Sequence, residues 1–129
     1  DGGDRCLTDQ VLYHLGSRGV EYDLLPWLQQ HQLPLMAYCP LAQGGSLRQE
    51  LLGSPAVQQI ARTRQASPCQ VLLAFLLAQP GVVPIPRSSS ARHTLDNAAA
   101  LDLRLTAEEL GILDKAFPAP DHPTPLDVV

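Results

Sequence analysis

The sequence predicts an α/β fold of about three parallel strands with flanking helices, and three observations carry that expectation. Short apolar runs alternate with segments of helical periodicity, each run is closed by Pro or Gly, and helix-start signals follow the breaks. A repeated order of strand, turn and helix gives parallel strands joined by right-handed crossovers. In such folds ligands bind at the carboxyl ends of the strands.

The first strand is expected over residues 9–13, Asp9-Gln10-Val11-Leu12-Tyr13, with Gly16 and Gly19 punctuating the connection after it. Asp23 is placed to cap a helix in which Leu24, Leu25 and Leu28 share a face. Pro26 lies in its first turn, where a missing N–H costs little. The second strand, Leu35-Met36-Ala37-Tyr38-Cys39, is apolar on both faces, as strands covered by helices tend to be, and Pro40 ends it. Gln43-Gly44-Gly45-Ser46 reads as a flexible loop. Ser54-Pro55 starts a helix with Val57, Ile60 and Ala61 inward. Ser67-Pro68-Cys69-Gln70 is a capping box with proline at the first helical position, and residues 71–78 after it are apolar nearly all round, which predicts a buried helix.

Pro80-Gly81 leads into the third strand, residues 82–85. Ser90 is the expected cap of the next helix, which runs to about Ala100. Thr106-Ala107-Glu108-Glu109 is another capping box, opening a helix with Leu110, Leu113 and Phe117 inward. Residues 118–129 hold four of the twelve prolines, which predicts an irregular tail that folds back over another part of the chain.

With 129 residues, 45% of them hydrophobic and 17% charged, the chain is long and apolar enough for one domain with a real core. The net charge of −4, with nine scattered Lys and Arg, argues against a nucleic-acid surface. No run reaches the ~18 apolar residues of a membrane span, and the polar start Asp1-Gly2-Gly3-Asp4-Arg5 is unlike a signal peptide, so a cytoplasmic location is expected. Cys6, Cys39 and Cys69 form no C-x-x-C pair, and His14, His31, His93 and His122 show no ligand spacing. Neither a disulfide framework nor a metal site is indicated.

Residues 82–97 concentrate the chemistry. Val82-Val83-Pro84-Ile85-Pro86-Arg87-Ser88-Ser89-Ser90 runs from a strand through a hydroxyl-rich turn with a cation into a helix start. Free backbone N–H groups, a favourable helix dipole, hydroxyls and a guanidinium together suit a phosphate ester. Taken alone, Arg87 is equally a solvated arginine and Ser90 a simple cap. Tyr38 is equally a core aromatic at a strand end, and Gln10 a polar strand-end residue.

Three motifs in order then resemble the aldo-keto reductase family: Asp9-Gln10-Val11-Leu12-Tyr13-His14, Ala37-Tyr38-Cys39-Pro40-Leu41 with a glycine-bearing loop, and Ile85-Pro86-Arg87-Ser88-Ser89 with Asn97 ten residues beyond Arg87. The likeness runs from about Cys6 to Phe117. The stretch Val11-Leu12-Tyr13-His14-Leu15-Gly16-Ser17-Arg18-Gly19 is similar to a bacterial branch associated with small aldehydes such as methylglyoxal. The resemblance implies part of a (β/α)8 TIM barrel, its sixth to eighth βα units, in a single region spanning residues 1–129. It also implies that the family's catalytic Asp, Tyr, Lys and His lie on strands that no stretch here resembles. Tyr13, His14 and Lys115 are the right types in the wrong context and receive no catalytic role.

What the resemblance implies for cofactor binding is specific. Gln10 matches a partner of the nicotinamide amide, and Tyr38 the aromatic on which the ring stacks. Cys39 stands where serine is usual near the pyrophosphate, and a thiol is a weak donor. Leu41 and Ser46 lie in the loop over the pyrophosphate, or are ordinary loop residues. Arg87, Ser88 and Ser90 match the positions around the adenosine 2′-phosphate, where a guanidinium can grip bidentately. His93 replaces a common arginine, which weakens the case for NADPH over NADH. Asn97 matches an adenine contact, or is an exposed helix asparagine.

The expected function is therefore the cofactor-binding, carboxyl-terminal portion of an NADP-dependent reductase of small aldehydes or ketones, inactive as an isolated chain. His122 and Leu126 in the tail are candidates to line a substrate pocket. Two alternatives stand beside this. Three strands leave two unpaired edges and an apolar face, which invite self-association or pairing with another half-barrel. The other is a truncated gene product with no separate function, the reading that the start at Asp1 favours.

Overall fold

Leu35 and Ala37 of the central strand are wholly buried and Val82 nearly so, while Val83 and Ile85 are 49% and 39% exposed. That contrast defines the two faces of the sheet. In this computed structural model, which describes residues 6–128, β1 (Asp9–Leu12), β2 (Leu35–Tyr38) and β3 (Val82–Pro84) form a parallel sheet in the order β1-β2-β3. Gln10 pairs with Met36, Leu12 with Tyr38, and Met36 with Val83. Because side chains alternate along a strand, Leu35, Ala37 and Val82 point to one face and Gln10, Met36, Tyr38 and Val83 to the other. Helices cover only the first.

The crossovers supply that cover. Helix α1 (Leu24–Gln30) joins β1 to β2, burying Leu25 and Leu28. Helices α2 (Gly45–Gly53), α3 (Pro55–Arg64) and α4 (Pro68–Leu77) lie between β2 and β3, followed by α5 (Ala91–Ala98) and α6 (Ala107–Ala116). The reciprocal capping box of Ser67 and Gln70 starts α4, whose residues Val71, Leu72, Leu73, Ala74, Phe75 and Leu76 are all buried. At about 1.5–3 kcal/mol for each large aliphatic or aromatic side chain taken from water, α4 is the main apolar anchor of the core. Thr106 and Glu109 form the second capping box, and Leu113 is the buried residue of α6.

Several boundaries differ from expectation. The first two strands end one residue early, at Leu12 and Tyr38, and the third ends at Pro84. Cys39 has a positive φ of 50°, which ends extended pairing by turning the chain. The loop expected over residues 43–46 ends at Gly44, because Gly45 and Ser46 already belong to α2. Asp23 and Ser90 occupy N-cap positions but neither side chain makes a capping bond. The helix begun at Ala91 changes at Ala99 to a 3₁₀ turn, Ala99–Asp102. Phe117 is half-buried against the core and accepts the role of C-cap rather than helix interior.

Residues 118–128 carry no regular structure and fold back across the segment after β1. The Ser17 hydroxyl donates to the Asp127 carboxylate. A Cβ at Gly19 would stand 2.9 Å from the Thr124 hydroxyl, so a larger residue there would displace the Thr124 side chain. Among the described residues no helix is long and apolar enough to cross a membrane.

Candidate functional site

At the carboxyl ends of β2 and β3 the chain leaves a cleft of 460 Å³. One wall is the turn after β2, with Cys39, Leu41 and Gln43; the other is the turn after β3, with Ile85, Arg87 and Ser88; Arg48 of α2 also lines it. Ile85 N–H donates to Ala37 O at 3.0 Å, holding the two turns side by side. The first turn is tight: Ala42 N–H donates to Cys39 O at 2.9 Å, with both Cys39 and Ala42 at positive φ. Non-glycine residues held in that region cost free energy and cluster where a backbone grips a ligand. Gly44 and Gly45 follow, and a Cβ on either would meet nothing within 4 Å, so the start of α2 is bare backbone.

The second turn is organised by Ser88. Its hydroxyl donates to Ser90 O at 2.9 Å and accepts from Ser90 N–H at 3.1 Å. Thr94 N–H and its hydroxyl both bond Ser90 O, at 2.9 and 3.1 Å, which starts α5. With no side chain capping α5, the first-turn amides remain for an outside acceptor. Arg87 is exposed beside them.

A lock between helices fixes where α5 sits. Asp96 Oδ2 accepts from the Ser67 hydroxyl at 2.9 Å, and Gln70 Nε2 donates to Asp96 Oδ1 at 2.9 Å and to Asp96 O at 3.0 Å. The capping box of α4 therefore also holds α5, and with it Asn97, next in sequence to Asp96.

The residues proposed from sequence divide into groups. Cys39, Leu41, Arg87 and Ser88 line the one cleft. Leu41 is buried in the core cluster, so its backbone rather than its side chain is available. Tyr38 is half-buried at the last position of β2. Asn97 and Ser88 line a neighbouring cavity of 670 Å³ between α4, β3 and α5, so Ser88 stands between the two spaces. Ser46, Ser90 and His93 line neither; Ser46 and His93 are exposed on their helices. Gln10, expected at a strand end, is instead the second residue of β1, exposed and two residues back from the level of Tyr38.

The titratable cluster after β1 is structural. Tyr13 is fully buried and donates to Glu21 Oε1 at 2.6 Å; burial, then Glu21, pushes its phenol far above the ordinary value. Burial works against the Arg18 charge, yet bonds to Glu21 and Asp114, each at 2.7 Å, more than offset it. Arg18 also bonds Phe117 O and lies 5.0 Å from the Phe75 ring centroid. His14 is buried, accepts from Gly16 N–H at its Nδ1, and is held below its ordinary pKa by burial, against an opposing pull from Asp127. Lys115 is exposed on α6.

The tail and Arg18 border a third cavity, of 610 Å³, lined on the tail side by Pro118, Pro120, Thr124, Pro125 and Asp127. His122 and Leu126 do not reach it; His122 is exposed and pairs with Asp121. The main residue that sequence reasoning missed is Arg48. It lines the cleft from α2 and belongs to none of the contiguous motifs, so only the fold brings it there.

Comparison with known proteins gives the family and the fold. A sequence model of the Aldo/keto reductase family matches residues 1–117. Methylglyoxal reductase YeaE of Escherichia coli is 54% identical over 128 residues, covering 99% of this chain and 45% of that protein. Glyoxal reductase of Bacillus subtilis is 32% identical over 114 residues, 88% of this chain and 38% of its own. A crystal structure of an aldo-keto reductase from Klebsiella pneumoniae in complex with NADPH superposes with a TM-score of 0.95 at 52% identity, over 100% of this chain and 45% of that one. The chain thus spans less than half the length of these relatives, and its three parallel strands and their helices are one part of a (β/α)8 barrel. On the match of the family model and the shared fold, the chain belongs to the aldo/keto reductase family.

Proposed function

We propose that this chain forms the cofactor-holding part of an NADPH-dependent reductase of small aldehydes or ketones. The observation that carries the reading is the cleft between the turns after β2 and β3, where the Arg87 guanidinium, a hydroxyl turn and bare helix-start backbone converge. That donor set fits phosphate esters. Arg87, Ser88 and Ser90 hold the adenosine 2′-phosphate, with His93 near it, and Asn97 meets the adenine. Backbone at Cys39, Leu41 and Ser46 lies along the diphosphate. Tyr38 presents a flat face to the nicotinamide, and Gln10 bonds its amide. When bound, the reduced nicotinamide supplies the hydride that a carbonyl carbon accepts. The proton donor comes from motifs that this chain does not contain, so the chain alone turns over methylglyoxal and NADPH no faster than background. With His93 in place of arginine, NADH is the alternative cofactor.

Backbone NMR tests the placement. Adding NADPH should move the amide signals of Cys39, Arg87, Ser88 and Ala91 while leaving those of the tail at Thr124 and Leu126 in place. Uniform silence at the first group contradicts the reading.

A second reading has its own support: the sheet face with Gln10, Val83 and Ile85 is open. An uncovered apolar face and unpaired edges promote self-association. Size-exclusion chromatography with light scattering separates this from a monomer.

A further inference from the structure

Helix α5 has little packing of its own. None of its eight residues is buried, six are exposed, and Asp96 and Asn97 are the two half-buried ones. Leu95 is 73% exposed. A helix with so few buried contacts opens readily unless something else ties it down. The tie is a closed network with the first turn of α4. Ser67 Oγ accepts from Gln70 N–H at 3.2 Å and donates to Asp96 Oδ2 at 2.9 Å. Gln70 Oε1 accepts from Ser67 N–H at 2.9 Å, while Gln70 Nε2 donates to Asp96 Oδ1 and Asp96 O. Both carboxylate oxygens of Asp96 are therefore taken by α4. Thr94, Asn97 and Ala98 line the 670 Å³ cavity and Asp96 does not, so the clasp grips α5 away from the face it offers to that space.

Residue choice shows that this network exceeds a helix cap. A capping box takes either Glu or Gln at its third helical position. In α6 that residue is Glu109: one oxygen accepts from Thr106 N–H and the other meets the Arg64 guanidinium at 2.9 Å. In α4 it is Gln70, and its second atom meets a carboxylate instead. An amide can accept from Ser67 and donate to Asp96 together, whereas a carboxylate would cap α4 and repel α5.

We propose that Ser67 and Gln70 are positioning residues for the adenosine half of the cofactor, holding α5 in place through Asp96 before the ligand arrives. The inference rests on the cofactor reading above, which sets Ser90, His93 and Asn97 around that half, and adds what keeps them there. The clasp touches no ligand. It lowers the ordering cost of binding, since a segment already fixed in its bound position has less freedom to lose.

The test combines amide hydrogen exchange with equilibrium titration of NADPH and 2′,5′-ADP, on the full chain and three variants. Gln70→Glu keeps an acceptor for the α4 cap and sets a carboxylate against Asp96. Gln70→Met removes the amide without changing charge. Gln70→Glu/Asp96→Asn restores a donor and acceptor of reversed polarity at the parental net charge. Both single variants should bind both ligands about tenfold more weakly. In the free chain their residues 94–98 should exchange faster than the parent's, and saturating 2′,5′-ADP should remove the difference. The double variant should recover most of the affinity and of the protection. Faster exchange with parental affinity overturns the proposal, leaving the clasp a stability element alone. Weakening by Gln70→Glu but not by Gln70→Met overturns it as a charge effect, and so does a double variant no better than Gln70→Glu. Unchanged exchange in both single variants overturns it while the cofactor reading stands. No binding of either ligand to the parent chain overturns the cofactor reading itself.

Discussion

Tyr38 lies in register with Leu12, two residues further along the sheet than Gln10, and shares with Gln10 the face that no helix covers. Tyr38 is thus the last residue of β2, directly before Cys39 of the cleft wall, while Gln10 lies two residues further back. Stacking on an aromatic ring is worth about 1–3 kcal/mol, and one neutral hydrogen bond about 1 kcal/mol. Tyr38→Ser should lower NADPH affinity by roughly ten- to a hundredfold, Tyr38→Phe by little, and Gln10→Ala by about fivefold. Fluorescence titration decides it, and equal losses in the serine and phenylalanine variants would count against stacking.

The tie between α4 and α5 predicts a stability effect. Asp96→Ala strips the acceptor from the Ser67 hydroxyl and one of the two acceptors from Gln70 Nε2, leaving that amide its bond to Asp96 O. Urea unfolding should show a loss of about 1–3 kcal/mol. Ser67→Ala, which removes the capping hydroxyl too, should cost about 1 kcal/mol, and the double variant less than the sum.

Arg18 joins the segment after β1 to Asp114 of α6 and to Phe117 O, with its side chain only 8% exposed. Arg18→Met leaves Glu21 half-buried without its cation, and breaking such a pair costs about 3 kcal/mol. Tyr13→Phe, which leaves the Arg18 and Glu21 pair intact, should cost about 1 kcal/mol. Thermal unfolding of the two variants should rank them in that order; the reverse order contradicts the assignment of Arg18 as the centre of the cluster.

His14 gives a pH dependence of defined sign. Burial lowers its folded pKa below the ordinary 6.5. Above that value the imidazole is neutral in both states and stability is unaffected by it. As pH falls through 6.5 the unfolded chain takes up a proton that the folded chain resists, so stability is lost on acidification through the folded pKa. Unfolding free energy should decline from pH 7 to 5, and His14→Gln should flatten the decline. An identical slope in the variant would remove His14 as its source.

The parallel order of strands, the two capping boxes and the buried face of α4 were legible because each is local: periodicity, a proline, a serine and glutamine three apart. The limits of the elements were less so. Cys39 and Ala42 adopt positive φ although neither is a glycine, and the strand ends where that turn begins. Gly45 and Ser46 read as loop by composition, yet Gly45 takes its left-handed φ at the head of a helix. Arg87 and Ser88 could be placed because their motif is contiguous. Arg48 could not, since it reaches the cleft through the fold of α2 and belongs to no motif. The partners Ser17 with Asp127 and Ser67 with Asp96 are equally invisible in sequence, being set by packing between distant segments.

The central claim, a cleft built for a phosphorylated dinucleotide, is most directly tested by calorimetric titration of the chain with NADPH and with NADH, alongside Arg87→Ala. The account predicts NADPH binding tighter than NADH, with that preference abolished in the variant. Absence of NADPH binding, or a preference that survives Arg87→Ala, would contradict it.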